Sequence, residues 1–173
     1  CIEKSISIID DYVASRIMSK SDLEKYLRLS AYINELKKEP LETLRDLNRL
    51  IDCNPNLKKD FEINNWIIDT KYAIQDYLGA LKDINILVEK FPNKYELFET
   101  KGMCLSMLND ETGAIKAYTK AIEIDPKFWR LYRLRGLSRF YNKDVTSACS
   151  DWSIAGDLGE YKAYEHIKEY CNK

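Results

Sequence analysis

The sequence predicts an all-α protein, and two observations carry that prediction. Its 173 residues include only 6 Gly and 4 Pro against 32% charged residues, a composition typical of long helices joined by few turns. The second observation is a period of 34 residues, which indicates a repeated structural unit. The residues that recur with this period are Ala80, Ala114 and Ala148; Asp76, Asp110 and Asp144; Ile84, Tyr118 and Trp152; Pro92 and Pro126; and Gly102 and Gly136.

The composition excludes several other classes of protein. Hydrophobic residues make up 45% of the chain, too many for a disordered segment. The 27 Lys and Arg nearly balance the 28 Asp and Glu, for a net charge of −1, and such a chain has no general attraction for nucleic acid or anionic lipid. No apolar run approaches the roughly 18 residues of a membrane-spanning helix.

Residues 1–60 are predicted to form an N-terminal helical region. Apolar residues recur at helical spacing over residues 2–18. Ser21 and Glu24 match a capping box that begins a second helix, which ends near Lys37. Pro40 begins a third helix, which ends before Pro55. A degenerate repeat formed by the second and third helices is one interpretation of this region.

About three repeat units follow, over residues 61–94, 95–128 and 129–162. The recurring Asp of each unit precedes its second helix, where a carboxylate can accept hydrogen bonds from free backbone N–H groups. Gly159 breaks the chain, and residues 160–173 are predicted to form a capping helix with a polar outer face. We expect all of these elements to form one continuous domain.

The unit that begins at Tyr95 has the most informative pattern. Phe98 is a large aromatic early in its first helix, and Gly102 is a small residue that follows. Its second helix and closing residue are Ala114, Tyr118, Ala121 and Pro126. In these residues the unit resembles the tetratricopeptide repeat, a helix–turn–helix of about 34 residues. The resemblance implies an α-solenoid of antiparallel helix pairs, with a C-terminal capping helix.

The resemblance covers residues 61–162 and departs from the family pattern in two units. The last unit has Glu160 where the closing proline is expected, and the first has Ile68 where Gly is expected. The pattern of small and large residues follows from how the helices pack. Gly or Ala lets two helices approach closely, and large side chains fill the space beside the crossing.

A basic stretch marks the candidate binding site. Residues 126–143 contain six Lys or Arg and no acidic residue. In tetratricopeptide domains the first helices line a concave groove that binds extended peptides. Matching to the family pattern places these residues of the last two units toward that groove: Arg130, Arg133, Leu137, Phe140 and Tyr141, with Glu99 and Met103 of the preceding helix. The resemblance therefore implies an Arg pair for a carboxylate beside apolar floor residues.

Two other interpretations of the arginines stay open. Glu96 and Glu99 could pair with Arg130 and Arg133 across neighbouring first helices, in exposed ion pairs worth about 0–1 kcal/mol each. Nucleic acid is the other candidate partner, because aromatic residues interleave with the charges, but the near-neutral total disfavours it. The groove also lacks the Lys and Asn of the family's carboxylate-clamp variety, so an adaptor for chaperone tails is disfavoured.

The sequence shows no convincing catalytic or metal-binding constellation. His166 is the only histidine, and an enzyme that pairs it with Cys171 or Glu165 is the remaining alternative. The six glycines are scattered and form no phosphate-binding loop. We therefore expect no enzymatic activity, no cofactor and no metal.

The five cysteines form no C-x-x-C pair. The internal four, at positions 53, 104, 149 and 171, lie in helix-like surroundings, where a free thiol usually packs as a small apolar side chain, and their redox state stays open. Cys1 has two equal interpretations. It resembles the lipid-accepting first residue of a mature bacterial lipoprotein, or it marks a trimmed chain.

These observations predict a non-enzymatic scaffold that binds a peptide or protein partner through its concave face. The alternative is an accessory lipoprotein, anchored in the cell envelope through Cys1, that organises a membrane-associated complex without a free peptide ligand. The scaffold would act in the cytoplasm, and the lipoprotein would act at the cell envelope. Membrane contact is expected only through lipid on Cys1, and the sequence indicates no oligomeric state.

Overall fold

A computed structural model describes residues 18–171 of the chain. The lipidation site Cys1 and all but the last residue of the predicted helix over residues 2–18 lie outside the described residues. Within the described range the chain forms nine α-helices, one 3₁₀ turn and no strand, so the all-α prediction is confirmed. The α-helices are α1 (Lys20–Leu36), α2 (Pro40–Cys53), α3 (Phe61–Ala73), α4 (Tyr77–Lys90), α5 (Tyr95–Met107), α6 (Glu111–Ile124), α7 (Trp129–Tyr141), α8 (Val145–Asp157) and α9 (Ala163–Tyr170).

The contacts divide the chain into two compact units, one ending at Thr70 and the other beginning at Lys71. The boundary falls inside α3. Each unit has its own buried clusters and is described by itself. The repeat boundaries drawn from the sequence, and their union in one domain, stay predictions.

The first unit is built on the antiparallel pair α1 and α2. Ser19 caps α1, because its side chain accepts a hydrogen bond from the Asp22 N–H, so the predicted cap at Ser21 lies two residues too late. Leucines of both helices form the core with side chains of α3. The carboxylate of Asp46, buried in α2, accepts hydrogen bonds from Ser30 Oγ at 2.6 Å and Asn34 Nδ2 at 3.0 Å. These bonds tie the two helices together inside the core.

In the second unit, each second helix begins at a capped turn of the same design. The side chains of Asp76, Asp110 and Asp144 accept the N–H of the residue three positions on, at 2.9, 2.8 and 3.1 Å. The predicted capping role is therefore confirmed. The residue before each Asp has a left-handed backbone, with φ of 64°, 63° and 69° at residues 75, 109 and 143. These residues are Gln, Asn and Lys, so a tight reversal precedes every cap without glycine.

The two helices of each complete hairpin cross where a glycine meets an aromatic ring. A Cβ at Gly102 of α5 would lie 2.5 Å from Tyr118 Cε1 of α6, and a Cβ at Gly136 of α7 would lie 2.5 Å from Trp152 Nε1 of α8. Trp152 is fully buried and Tyr118 nearly so. Burial raises the pKa of Tyr118 well above its ordinary value, so its phenol stays neutral.

Helix α9 closes the second unit. Its first residue, Ala163, is buried with Trp152 and with Ala148 and Ala155 of α8. A disulfide joins Cys149 of α8 to Cys171 at the end of α9. Cys149 and Cys171 therefore do not pack as free thiols, and the redox state that the sequence left open is that of a disulfide for these two. The antiparallel return of α9 brings together two cysteines 22 residues apart, whereas Cys53 and Cys104 are not disulfide-bonded within the described residues.

We expect Gly102→Ala to lower the free energy of unfolding by about 1–3 kcal/mol, the usual range for overpacking a core. The added methyl group meets the ring of a buried tyrosine, which cannot rotate away. Urea unfolding followed by circular dichroism measures the change. Ser153→Ala, on the exposed face of α8, is the control, and equal stability of the two variants would contradict the close crossing.

We expect reduction of the Cys149–Cys171 disulfide to destabilise the second unit by about 3 kcal/mol, the loop-closure value for a loop of this length. Urea unfolding with and without a thiol reductant measures the difference. The variant with Cys149→Ser and Cys171→Ser should unfold at the lower midpoint in both conditions. Coincident unfolding curves for the oxidised and reduced natural chain would show that the bond does not restrain α9.

Candidate functional site

The predicted groove residues lie on α5 and α7 of the second unit. Arg130 Nε lies 3.0 Å from Glu99 Oε1, and Arg130 Nη2 lies 3.8 Å from Met103 Sδ. The structure therefore brings Glu99, Met103 and Arg130 together. The side chain of Glu99 is 10% exposed, whereas that of Arg130 is 43% exposed. One face of the guanidinium is thus accessible while the carboxylate beneath it is covered.

Arg133, the second arginine of the predicted groove, contacts an aromatic ring and not the glutamate that the cross-helix interpretation suggested. The Arg133 guanidinium carbon lies 5.9 Å from the centroid of the Trp129 ring, within the range of a cation–π interaction. The suggested pairing of Glu99 with Arg130 is present. In contrast, Glu96 Oε2 is a buried atom without a hydrogen-bond partner among the described residues.

The apolar groove residues divide into two groups. Leu137 and Phe140 pack against the buried cluster under α9, and the Phe140 ring centroid lies 4.5 Å from that of Tyr170. These two side chains therefore contribute to packing more than to an open floor. Tyr141, by contrast, is 62% exposed, and Met107 on α5 is 52% exposed. An exposed aromatic and an exposed thioether thus remain available on this face.

Two of the six cations of the basic stretch share one buried carboxylate within the α7–α8 hairpin. Arg135 forms a two-pronged pair with Asp151, with Nε at 2.9 Å from Oδ2 and Nη2 at 2.7 Å from Oδ1. Arg139 Nη1 lies 2.7 Å from Asp151 Oδ2. The Asp151 side chain is only 2% exposed, and Arg135 also reaches Thr119 Oγ1 of α6 at 3.1 Å. These arginines are structural, which removes much of the argument for nucleic acid.

Sequence reasoning missed the role of Asp151. The signal was present, because Arg135 and Asp151 are 16 residues apart. Gly136 and Trp152, the next residue of each helix, meet at the crossing of the same hairpin. A residue beside the crossing glycine faces the residue beside the crossing aromatic, so the charge pair could have been inferred from the repeat register.

His166 belongs to the packing of the C-terminal helix. Its ring centroid lies 5.0 Å from that of Trp152. The alternative of a Cys171 nucleophile is wrong, because that sulfur is bonded to Cys149. Among residues 18–171, no group of three His, Cys, Asp or Glu side chains could hold a metal ion. None of the helices described here combines the length and apolar character required to cross a membrane.

Comparison with known proteins gives relatives of repeat type. No family model matches the chain. The chain is 35% identical to anaphase-promoting complex subunit CDC27 of Saccharomyces cerevisiae over 94 residues, which are 54% of this chain and 12% of CDC27. It is 27% identical to human tetratricopeptide repeat protein 13 over 122 residues, which are 69% of this chain and 14% of that protein. The chain thus spans only a small part of the length of these relatives.

Solved structures share the fold. MamA residues 41 to the end, from Desulfovibrio magneticus RS-1, matches 86% of this chain with a TM-score of 0.74 and 21% identity, over 84% of its own length. YrrB, described as a TPR protein with an unusual peptide-binding site, matches 84% of this chain with a TM-score of 0.70 and 16% identity, over 74% of its own length.

The similarities to solved structures decide the fold class of the molecule. The α-solenoid fold predicted from the resemblance is confirmed by the solved neighbours. Relatives and neighbours of this scaffold type also agree with the prediction that the chain is not an enzyme. The 34-residue period, the helical hairpins and the named relatives together support the resemblance of this chain to tetratricopeptide-repeat proteins.

Proposed function

We propose that the chain is a non-enzymatic scaffold that binds a peptide or protein partner through the α5–α7 groove. The set predicted for this groove is Glu99, Met103, Arg130, Arg133, Leu137, Phe140 and Tyr141, of which Leu137 and Phe140 pack beneath α9 and support the others. The observation that carries the proposal is its mixed surface. A half-exposed guanidinium at Arg130, a partly exposed one at Arg133 and an exposed aromatic ring at Tyr141 all lie on α7.

The chemistry of the groove favours an extended segment with a carboxylate. Arg133 stacks on Trp129, which orients its planar donor fork while the N–H groups at its edge stay available for an acceptor. Arg130 is held by Glu99, so it contributes mainly through its exposed edge. Tyr141 and Met107 supply adaptable apolar contacts.

We expect Arg133→Glu to weaken partner binding at least tenfold, equivalent to about 1.4 kcal/mol. The substitution reverses the charge of the groove arginine that has no carboxylate partner among the described residues. Affinity capture identifies candidate partners, and titration calorimetry with the purified partner measures the dissociation constant. Arg130→Glu is a poorer test, since a second carboxylate beside Glu99 would disturb the fold.

Lys90→Glu, on the exposed end of α4, is the charge-matched control and should bind normally. Circular dichroism establishes that both variants are folded. Partner binding by folded Arg133→Glu with unchanged affinity would remove the groove from the proposal.

The envelope-anchored alternative has one observation in its favour. The Cys149–Cys171 disulfide is of a kind that persists in oxidising compartments and is rare in the cytosol. We propose it as the second candidate: an accessory lipoprotein with lipid on Cys1, whose repeats organise a membrane-associated complex.

Mass spectrometry of the protein isolated from its native cells tests this alternative. We expect the peptide that contains Cys1 to carry an added lipid mass, and the peptides of Cys149 and Cys171 to be disulfide-linked. Protein recovered with an unmodified Cys1 and two reduced thiols would exclude this candidate and would leave the scaffold proposal intact.

A further inference from the structure

A cleft of about 300 Å³ lies between α5 and α6. Its floor is apolar and is formed by Phe98 and Leu105 of α5 and Ala117 of α6. Phe98 also packs against the buried cluster of Ala121, Ile122 and Leu131. The floor is therefore fixed by the core of the second unit, so the cleft keeps its shape without a ligand.

Three lysines line the same cleft, and no acidic residue does. Lys101 Nζ donates to Asn85 Oδ1 of α4 at 2.8 Å, and Lys120 Nζ lies 2.8 Å from Glu123 Oε2. The third, Lys116, is exposed on α6. Each ammonium has three N–H donors, so the bonds of Lys101 and Lys120 leave donors for a ligand. An apolar floor with a wholly cationic border is complementary to an anionic ligand with an apolar body.

This cleft and the α5–α7 groove lie on different sides of α5. Phe98, Lys101 and Leu105 are one helical turn apart and share a face. At about 100° per residue, the mean direction of that face differs by roughly 145° from the mean direction of Glu99 and Met103. A ligand in the cleft would therefore leave the groove accessible, and the two sites can be tested separately.

We propose that the α5–α6 cleft binds an acidic peptide segment whose single large apolar side chain enters the floor. The size of the cleft favours one side chain, because it is at the lower end of the roughly 300–1,000 Å³ typical of ligand pockets. The charges favour a peptide over a fatty acid. Three ammonium groups carried by two helices match carboxylates on both sides of an apolar residue, whereas a fatty acid has one carboxylate.

The test uses the full chain and a fluorescein-labelled peptide of sequence Asp-Asp-Phe-Asp-Asp, with fluorescence polarisation as the readout. We expect saturable binding that weakens with added salt, because ion pairs at an exposed site are screened. Replacement of Phe by Ala in the peptide, or of its four Asp by Lys, should abolish binding. Failure of the first peptide to bind, or equal binding of all three, would overturn the proposal.

Two variants with opposite expected effects on peptide binding make the test specific. We expect Lys116→Glu to weaken binding about tenfold. Glu123→Gln should strengthen it about twofold, because it frees Lys120 from its neighbour. Lys90→Glu, at the exposed end of α4, is the charge-matched control and should leave peptide binding unchanged. Unchanged binding by Lys116→Glu would overturn the cleft assignment, whether or not the groove binds its own partner.

Octanoate, a fatty acid with one carboxylate and an apolar tail, tests whether the cleft binds a fatty acid instead of a peptide. We expect it to compete with the peptide only weakly, with an inhibition constant at least tenfold above the peptide's dissociation constant. Tighter binding of octanoate than of the peptide, lost in Lys116→Glu, would show that the cleft is a fatty-acid site and would overturn the peptide assignment.

Discussion

The constraint on which the second unit depends is the contact of a glycine with an aromatic ring 16 residues later. Gly102 faces Tyr118, and Gly136 faces Trp152, at distances that leave no room for a side chain on the first helix. Because a hairpin has two rigid helices and a fixed turn, one such contact sets the register of every other pair across it. The capped turns at Asp110 and Asp144 fix the reversal that makes the register repeat.

The same register distributes charge between structure and surface. Beside the crossing of Gly136 and Trp152, Arg135 meets Asp151, and in the first unit Ser30 meets Asp46 at the same spacing of 16 residues. A buried carboxylate must be paired or hydrogen-bonded, since its desolvation would otherwise oppose folding. The arginines that pair with Asp151 are consequently unavailable to a partner. The positive charge that α7 presents in the folded chain is therefore smaller than its sequence suggests.

The repeat made part of this structure predictable from single residues. Gly102, Ala114 and the capping Asp110 recur at 34 residues, so the helices, their crossings and their caps follow from local physics. The disulfide did not follow, because it depends on which face of the returning α9 meets α8. The Arg135–Asp151 pair follows from the register only once the Gly136–Trp152 crossing is known. Phe140 shows the same limit: the family pattern placed it in the groove, but the returning α9 offers Tyr170 at 4.5 Å and draws it into the packing.

Helix α5 shows how a repeat supports two surfaces at once. Leu97, Gly102 and Cys104 point into the core and are fully or almost fully buried, which holds the helix in one rotation about its axis. With that rotation fixed, Glu99 and Met103 must face α7, while Lys101 and Leu105 must face the side where α6 begins. A ligand on either side therefore meets side chains whose positions are set by the core rather than by the ligand, and this preorganisation reduces the entropy lost on binding.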